Sequence, residues 1–158
     1  MNGVVRTMFK APVKLYERDL GWLLGKRFLC LTHVGRKSGR EYRTVLEVIG
    51  FRPETDEVLA IAGLGPSSDW YRNIQVSPAV RVTLGRRRFT PEHRVLDEVE
   101  AAEAIADYER RNAVLRPVLH PVLSKLLGWR YDGSDQARRR LVRELPIVAF
   151  RPREDAAA

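Results

Sequence analysis

The feature that most constrains the fold is a pair of short strand-forming runs held apart by a basic turn containing two glycines. Phe28–Val34 (FLCLTHV) is too short for a typical helix and is rich in strand formers. Thr44–Ile49 resumes strand composition, and Gly50 closes that run. Between them stands Gly35-Arg36-Lys37-Ser38-Gly39-Arg40. Glycines at its two ends allow a sharp or left-handed backbone and leave amide donors uncovered. Guanidinium and ammonium groups beside such amides make an anion site, suited to phosphate or clustered carboxylates. A solvated hairpin turn that is basic only for solubility accounts for the same residues. It is not a nucleotide P-loop: the spacing GxxxxGK[ST] is absent, and a strand rather than a helix is expected to follow.

The remaining chain continues this rhythm and then changes. Pro53-Glu54-Thr55-Asp56 is a turn, and Val58–Ala62 is a third strand leading into the small-residue loop Gly63–Ser68. A short helix is expected over Asp69–Ile74, capped by Ser68 or Asp69. Strands follow over Val80–Leu84 and near Arg88–Thr90, and His93–Leu96 extends the sheet. From Glu98 to Arg111 the spacing of Val99, Ala102, Ile105, Ala106 and Tyr108 predicts a helix. Val114–Leu127 carries Pro117 and Pro121, which predict a bent or split helical segment. Ser134 is placed to cap a basic helix over Asp135–Glu144, and Pro146–Phe150 is a closing strand. Five or six short strands at hairpin spacing, with helices gathered late, predict an α+β antiparallel barrel.

A chain of 158 residues with 44% hydrophobic content suits one domain with its own core. Its expected parts are an amphipathic segment over 1–27, the barrel and helices over 28–151, and a frayed tail over 152–158. In the first part, Lys10, Lys14, Arg18, Lys26 and Arg27 interleave with apolar residues between Gly3 and Leu24. Such a segment packs as a terminal helix, caps the open end of a pocket, or lies on an anionic membrane.

The net charge of +8 points to nucleic acid, an anionic surface or an acidic ligand. The cations sit in local clusters rather than along one recognition helix, so nucleic acid rests on net charge alone. One cysteine (Cys30) and three scattered histidines (His33, His93, His120) supply no zinc signature. No GxSxG elbow and no acid–base pair stands out, so no catalytic side chain is assigned. That pattern suits chemistry left to a bound cofactor, with the protein supplying orientation. With no visible cleavable signal and no apolar run of spanning length, the expectation is a cytoplasmic protein.

Leu31–Arg40 followed by Arg43-Thr44-Val45-Leu46 resembles the deazaflavin-dependent nitroreductase family, also described as the F420H2-dependent quinone reductases of actinobacteria. Ser68–Ile74 with Pro78 and Val80–Val82 is a second match, and Arg143–Val148 a weaker third. The resemblance implies a split β-barrel, like that of the FMN-binding oxidoreductases, of about six mostly antiparallel strands with peripheral helices. It implies coenzyme F420, a deazaflavin with a phosphate and an oligoglutamate tail, with FMN a lesser alternative. By the resemblance, Arg36, Lys37, Ser38 and the Gly39 amide hold the phosphate, and Arg40 or Arg43 reaches the carboxylates. Thr44, Val45 and Leu46 pass the ring, Ala62 and Gly63 let the main chain approach it, and Trp70 and Asn73 line the groove. For Trp70, an aromatic anchoring a helix to the barrel is an equal reading.

Tyr131, Trp129 and Tyr108 are the candidates for a substrate pocket. The chain has Val45 where the family often has proline, and its 63–68 loop is shorter and lacks lysine. The activity implied is hydride transfer from the reduced coenzyme to a quinone or nitro compound. The Gly3–Leu24 segment, by its basic amphipathic character, is a candidate for bordering the acceptor pocket and for peripheral contact with an anionic membrane, and monomer and homodimer both stay open. A non-catalytic carrier of the coenzyme or of a lipid-like ligand is the alternative, and no metal is expected.

Overall fold

The computed structural model describes residues 27–154. The expected amphipathic segment Gly3–Leu24 and the last four residues lie outside them. Seven strands form one antiparallel sheet in the order β5-β4-β1-β2-β3-β7-β6. They are β1 (Phe28–Val34), β2 (Glu41–Arg52), β3 (Glu57–Ile61), β4 (Arg81–Leu84), β5 (Arg87–Phe89), β6 (Pro91–Val95) and β7 (Ile147–Pro152). The sheet's two terminal strands, β5 and β6, follow one another with only Thr90 between them. The Thr90 carbonyl accepts a hydrogen bond from the Arg153 amide at 2.9 Å. One bent segment thus ends both edges of the sheet. This is a split β-barrel, as expected.

The long strand β2 joins the two halves. It pairs with β1 from Glu41 to Glu47 and with β3 from Val48 to Arg52, and the register shifts between Val48 and Gly50. A bulge of this kind sharpens the bend of a strand, which lets β2 serve both halves. Alternation then sorts the side chains. Leu29, Leu31, Leu46, Val58, Ala60, Val82, Val148 and Phe150 fill the barrel interior. Ile49, Leu59, Ile147 and Ala149 point the other way and are covered by the later helices. Cys30 and Val45 form a small third cluster with Phe28 on the opposite face of β1 and β2 from Leu29 and Leu46.

Helix α1 (Asp69–Val76) buries Trp70, Asn73 and Ile74 against the barrel. Helix α2 (Glu98–Arg111) begins at Asp97, whose side chain accepts from the Glu100 amide. Helix α4 (Asp135–Glu144) begins at Ser134, which accepts from the Ala137 amide. Both matches of cap to helix follow from side-chain acceptors meeting uncovered first-turn amides. At α1 the expected cap is not made: the Ser68 hydroxyl donates backwards to the Gly65 carbonyl at 2.7 Å. The run 114–127 divides, as expected, into a 3-10 turn over Ala113–Leu115 and helix α3 (Arg116–Leu127), but the division precedes both prolines and the helix continues through Pro121. Pro117 lies in the first turn, where no amide donor is needed. Pro121 follows one turn later and removes a single helical bond. The closing strand reaches Pro152, two residues past the expected end, because it pairs with β6 along that length.

Candidate functional site

The basic turn is built by its two glycines. The Gly35 amide donates to Arg40 O at 2.8 Å, and the Gly39 amide donates to Gly35 O at 2.9 Å. Gly39 has φ +70, a left-handed conformation that a side chain resists. A Cβ on Gly35 would stand 2.5 Å from Ser38 Oγ and 2.7 Å from the Tyr42 ring, so a side chain there would push both aside and break up the turn's own contacts. The Ser38 hydroxyl accepts from the Arg40 amide at 3.2 Å and shares a hydrogen bond with Tyr42 OH at 3.0 Å. Ser38 and the Gly39 amide, both expected to meet phosphate, are therefore used within the turn itself.

Arg36 is turned inward. Its amide and its Nη1 both donate to Asn73 Oδ1, at 3.1 and 2.9 Å, and Nη1 also reaches Asp69 Oδ1 at 3.2 Å. With its oxygen so occupied, Asn73 presents its amide nitrogen to His33 Nδ1 at 3.0 Å. His33 Nδ1 is then an acceptor, which leaves the proton on Nε2 to be donated to Thr44 Oγ1 at 2.9 Å. Burial lowers the pKa of His33, and the charge of Asp69 opposes that shift without cancelling it. The imidazole is accordingly neutral near neutral pH. A continuous chain of hydrogen bonds thus runs from exposed Asp69 through Arg36, Asn73 and His33 to Thr44. It ties the turn, α1 and β2 to one another. His33 is the satisfied, buried histidine that its place on a strand suggests.

Beyond this chain the turn presents charge. Lys37, Arg40 and Arg43 are exposed and make no ion pair among the described residues. In the register of the sheet, Thr32 faces Arg43 on one side and Arg81 on the other. This row of two arginines flanking a threonine lies beside the Cys30–Val45 cluster. Arg81 was missed by sequence reasoning. Its alternation within β4 is visible, but nothing local says that β4 pairs with β1.

The other expected residues divide. Val45 and Leu46 are both buried, Val45 beside Cys30 and Leu46 in the barrel interior. Ala62 is fully buried, whereas a Cβ at Gly63 would meet nothing within 4 Å, so the backbone there is open to close approach. Trp70 is buried in the barrel cluster, edge-on to Tyr71 with ring centroids 5.8 Å apart, as an anchor for α1.

A family model described as F420H(2)-dependent quinone reductase matches residues 8–114. The chain belongs to this family. The match includes the basic turn and α1, and the third motif at 143–148 falls outside it. A search of curated proteins finds no significant match. Among solved structures, the chain is similar to an F420-H2 dependent reductase (FDR-A), at 18% identity and TM-score 0.48, covering 80% of this chain and 95% of that one. It is similar to a conserved hypothetical protein from Mycobacterium tuberculosis, at 14% identity and TM-score 0.49, over 84% and 77% of the two chains. A pyridoxamine 5'-phosphate oxidase-related, FMN-binding protein from Nostoc punctiforme aligns at 18% identity and TM-score 0.44, over 87% and 75%.

The three aromatics expected at the acceptor pocket of a family member are occupied with other partners. Tyr131 is buried, and its hydroxyl donates to Glu109, which also receives Arg138 Nη2 at 2.9 Å. Burial and the Glu109 carboxylate push the Tyr131 phenol up. Trp129 donates to Glu144 Oε2 at 2.9 Å and lies under the Arg140 guanidinium, 4.3 Å from its ring centroid. Both belong to the packing between the sheet and the late helices. Tyr108 alone reaches β2, donating to Glu47 Oε1 at 2.6 Å, and burial with that carboxylate raises its pKa to about 12.

Proposed function

We propose that this chain is an F420H2-dependent reductase whose acceptor is electron-poor, a quinone in the first place and a nitro compound in the second. The observation that carries the reading is how the turn divides its cations. Arg36 is locked to Asn73 and Asp69, while Lys37 and Arg40 remain exposed, all within the stretch that matches the family. Exposed cations on a preformed turn suit an anionic phosphate and a polycarboxylate tail better than a neutral ligand. FMN, with one phosphate, would use fewer of them.

In this reading Lys37, Arg40 and Arg43 bind the coenzyme's anionic groups, and Arg36 holds the turn in place without touching them. When bound, the reduced coenzyme supplies the hydride that reduces the acceptor. Thr44 accepts from His33 Nε2, so its own hydroxyl proton is directed away from His33 and is available to a polar edge of the ring. His33 is a positioning residue, acting through Thr44. Gly63 gives the backbone room beside the ring. The protein's share in the rate is then alignment and exclusion of water around the bound pair.

The test is titration of the purified protein with oxidised F420, followed by fluorescence, and then mixing with F420H2 and menadione. Salt-sensitive binding with reoxidation dependent on menadione supports the reading. Binding without reoxidation by quinones or nitroaromatics would make the protein a carrier. No binding at any salt concentration would remove F420 from the account.

A further inference from the structure

Among the described residues, one side of helix α3 has no partner. Leu123 and Leu127 pack inward against the cluster beneath the helices. The solvent side, about 120° round the helix, carries Val118, Val122 and Leu126, with Val114 and Leu115 just before the helix, and all five are exposed. Residues four apart on an α-helix share one face, so Val118, Val122 and Leu126 form a continuous aliphatic stripe, preceded by the exposed Val114 and Leu115 of a 3-10 turn. Val118 is 64% and Val122 57% exposed, and no residue of the helix is fully buried. Scattered exposed apolar residues are ordinary, but a contiguous row of this kind marks a surface that meets something.

Its charge says what. From Arg110 to Tyr131 the chain contains five cations and no carboxylate. Arg110 pairs with Asp107, and Arg111 donates to Ile49 O, so these two are engaged elsewhere. Arg116, Lys125 and Arg130 are exposed and make no ion pair among the described residues. Lys125 comes two turns after Val118 and flanks the stripe. The aliphatic row contains no Trp, Tyr or Phe, the residues that anchor protein partners. An aliphatic stripe with a purely cationic margin is the pattern of a helix that lies in the headgroup and acyl boundary of an anionic bilayer.

We propose that α3 is the face by which this protein docks on anionic lipid. The stripe 118–126, with Val114 and Leu115 before it, enters the boundary region, and Arg116, Lys125 and Arg130 meet lipid phosphates. This surface is separate from the basic turn and needs no coenzyme, so it stands or falls apart from the catalytic reading.

The test is flotation of the full chain with vesicles of phosphatidylcholine and phosphatidylglycerol in equal parts, against vesicles of phosphatidylcholine alone. The wild type should float with the anionic vesicles, less so at high salt, and not with the neutral ones. Val118→Asp/Val122→Asp should weaken that partition about tenfold or more, with an unchanged thermal melt because both sites are exposed. A bimane label on Val122→Cys should shift to the blue on adding anionic vesicles, whereas a label on Glu103→Cys, at an exposed site on α2, should not. Wild type that stays unbound, or a double variant that floats as well as wild type, would overturn the proposal. A wild-type dimer in sedimentation that the double variant abolishes, with no flotation, would make the stripe an interface between copies instead.

Discussion

Two of the buried polar centres among the described residues share a similar composition and have opposite designs. At the barrel's turn, Asp69, Arg36, Asn73, His33 and Thr44 form an open chain that starts at a carboxylate 84% exposed and ends at a hydroxyl with a proton to give. Among the late helices, Glu109 receives Tyr131 and Arg138 and closes on itself, with the carboxylate side chain only 2% exposed. Each contains a carboxylate, an arginine and hydrogen-bonding side chains. The closed centre satisfies its buried charge internally, which is what burial of a charge demands. The open one holds a turn whose remaining cations face outward. Composition does not distinguish structure from site here; where each network ends does.

The contrast can be broken from either side. The largest effect should come from Arg138→Met, which leaves Glu109 buried with Tyr131 alone. It should cost about 3 kcal/mol of stability, read by denaturant melts. Asn73→Leu should come next, at about 2 kcal/mol, since it strips partners from Arg36 and His33 together. Unlike Arg138→Met, it should also weaken coenzyme binding, because the turn loses its clamp. A loss of stability with unaltered binding would put the open centre in the same class as the closed one.

A smaller effect concerns pH. Burial lowers the pKa of both His33 and His93. Below the ordinary histidine value of about 6.5 the unfolded chain takes up protons that the native chain does not. Stability should therefore be full above that value and decline as pH falls through the lowered native pKa values. His33→Gln should flatten the decline without abolishing it, since His93 still contributes. A melt series with an unchanged slope would mean that His33 is protonated in the native protein.

Much of the barrel was legible because hairpins advertise themselves. The run Phe28–Val34, the double-glycine turn and Thr44–Ile49 fall on β1 and β2, and β2 is longer at both ends because the paired strands extend its ladder. The helix over 98–111 was readable to the residue from its spacing, without its Asp97 cap, and that over 135–144 from its Ser134 cap. The late aromatics were not, because their partners are distant in sequence. Glu109 and Tyr131 are separated by 22 residues and Tyr108 and Glu47 by 61, and nothing local announces either pair. The same holds for the inward turn of Arg36, which depends on Asn73, 37 residues later. A run of basic residues shows that charge is present, but only tertiary partners show which cation stays free to bind.

The central claim is that the exposed cations of the turn hold the anionic coenzyme while the closed centre only supports the fold. The measurement that tests it most directly is a fluorescence titration of oxidised F420 into wild type, Lys37→Ala/Arg40→Ala and Arg138→Met, at low and high salt. The account predicts that the turn variant melts as wild type does and binds roughly a hundredfold more weakly, about tenfold per lost cation. Most of its salt dependence should vanish with it, while Arg138→Met melts early and, where folded, binds as wild type does. Undiminished binding by the turn variant, or binding lost only in Arg138→Met, would contradict it.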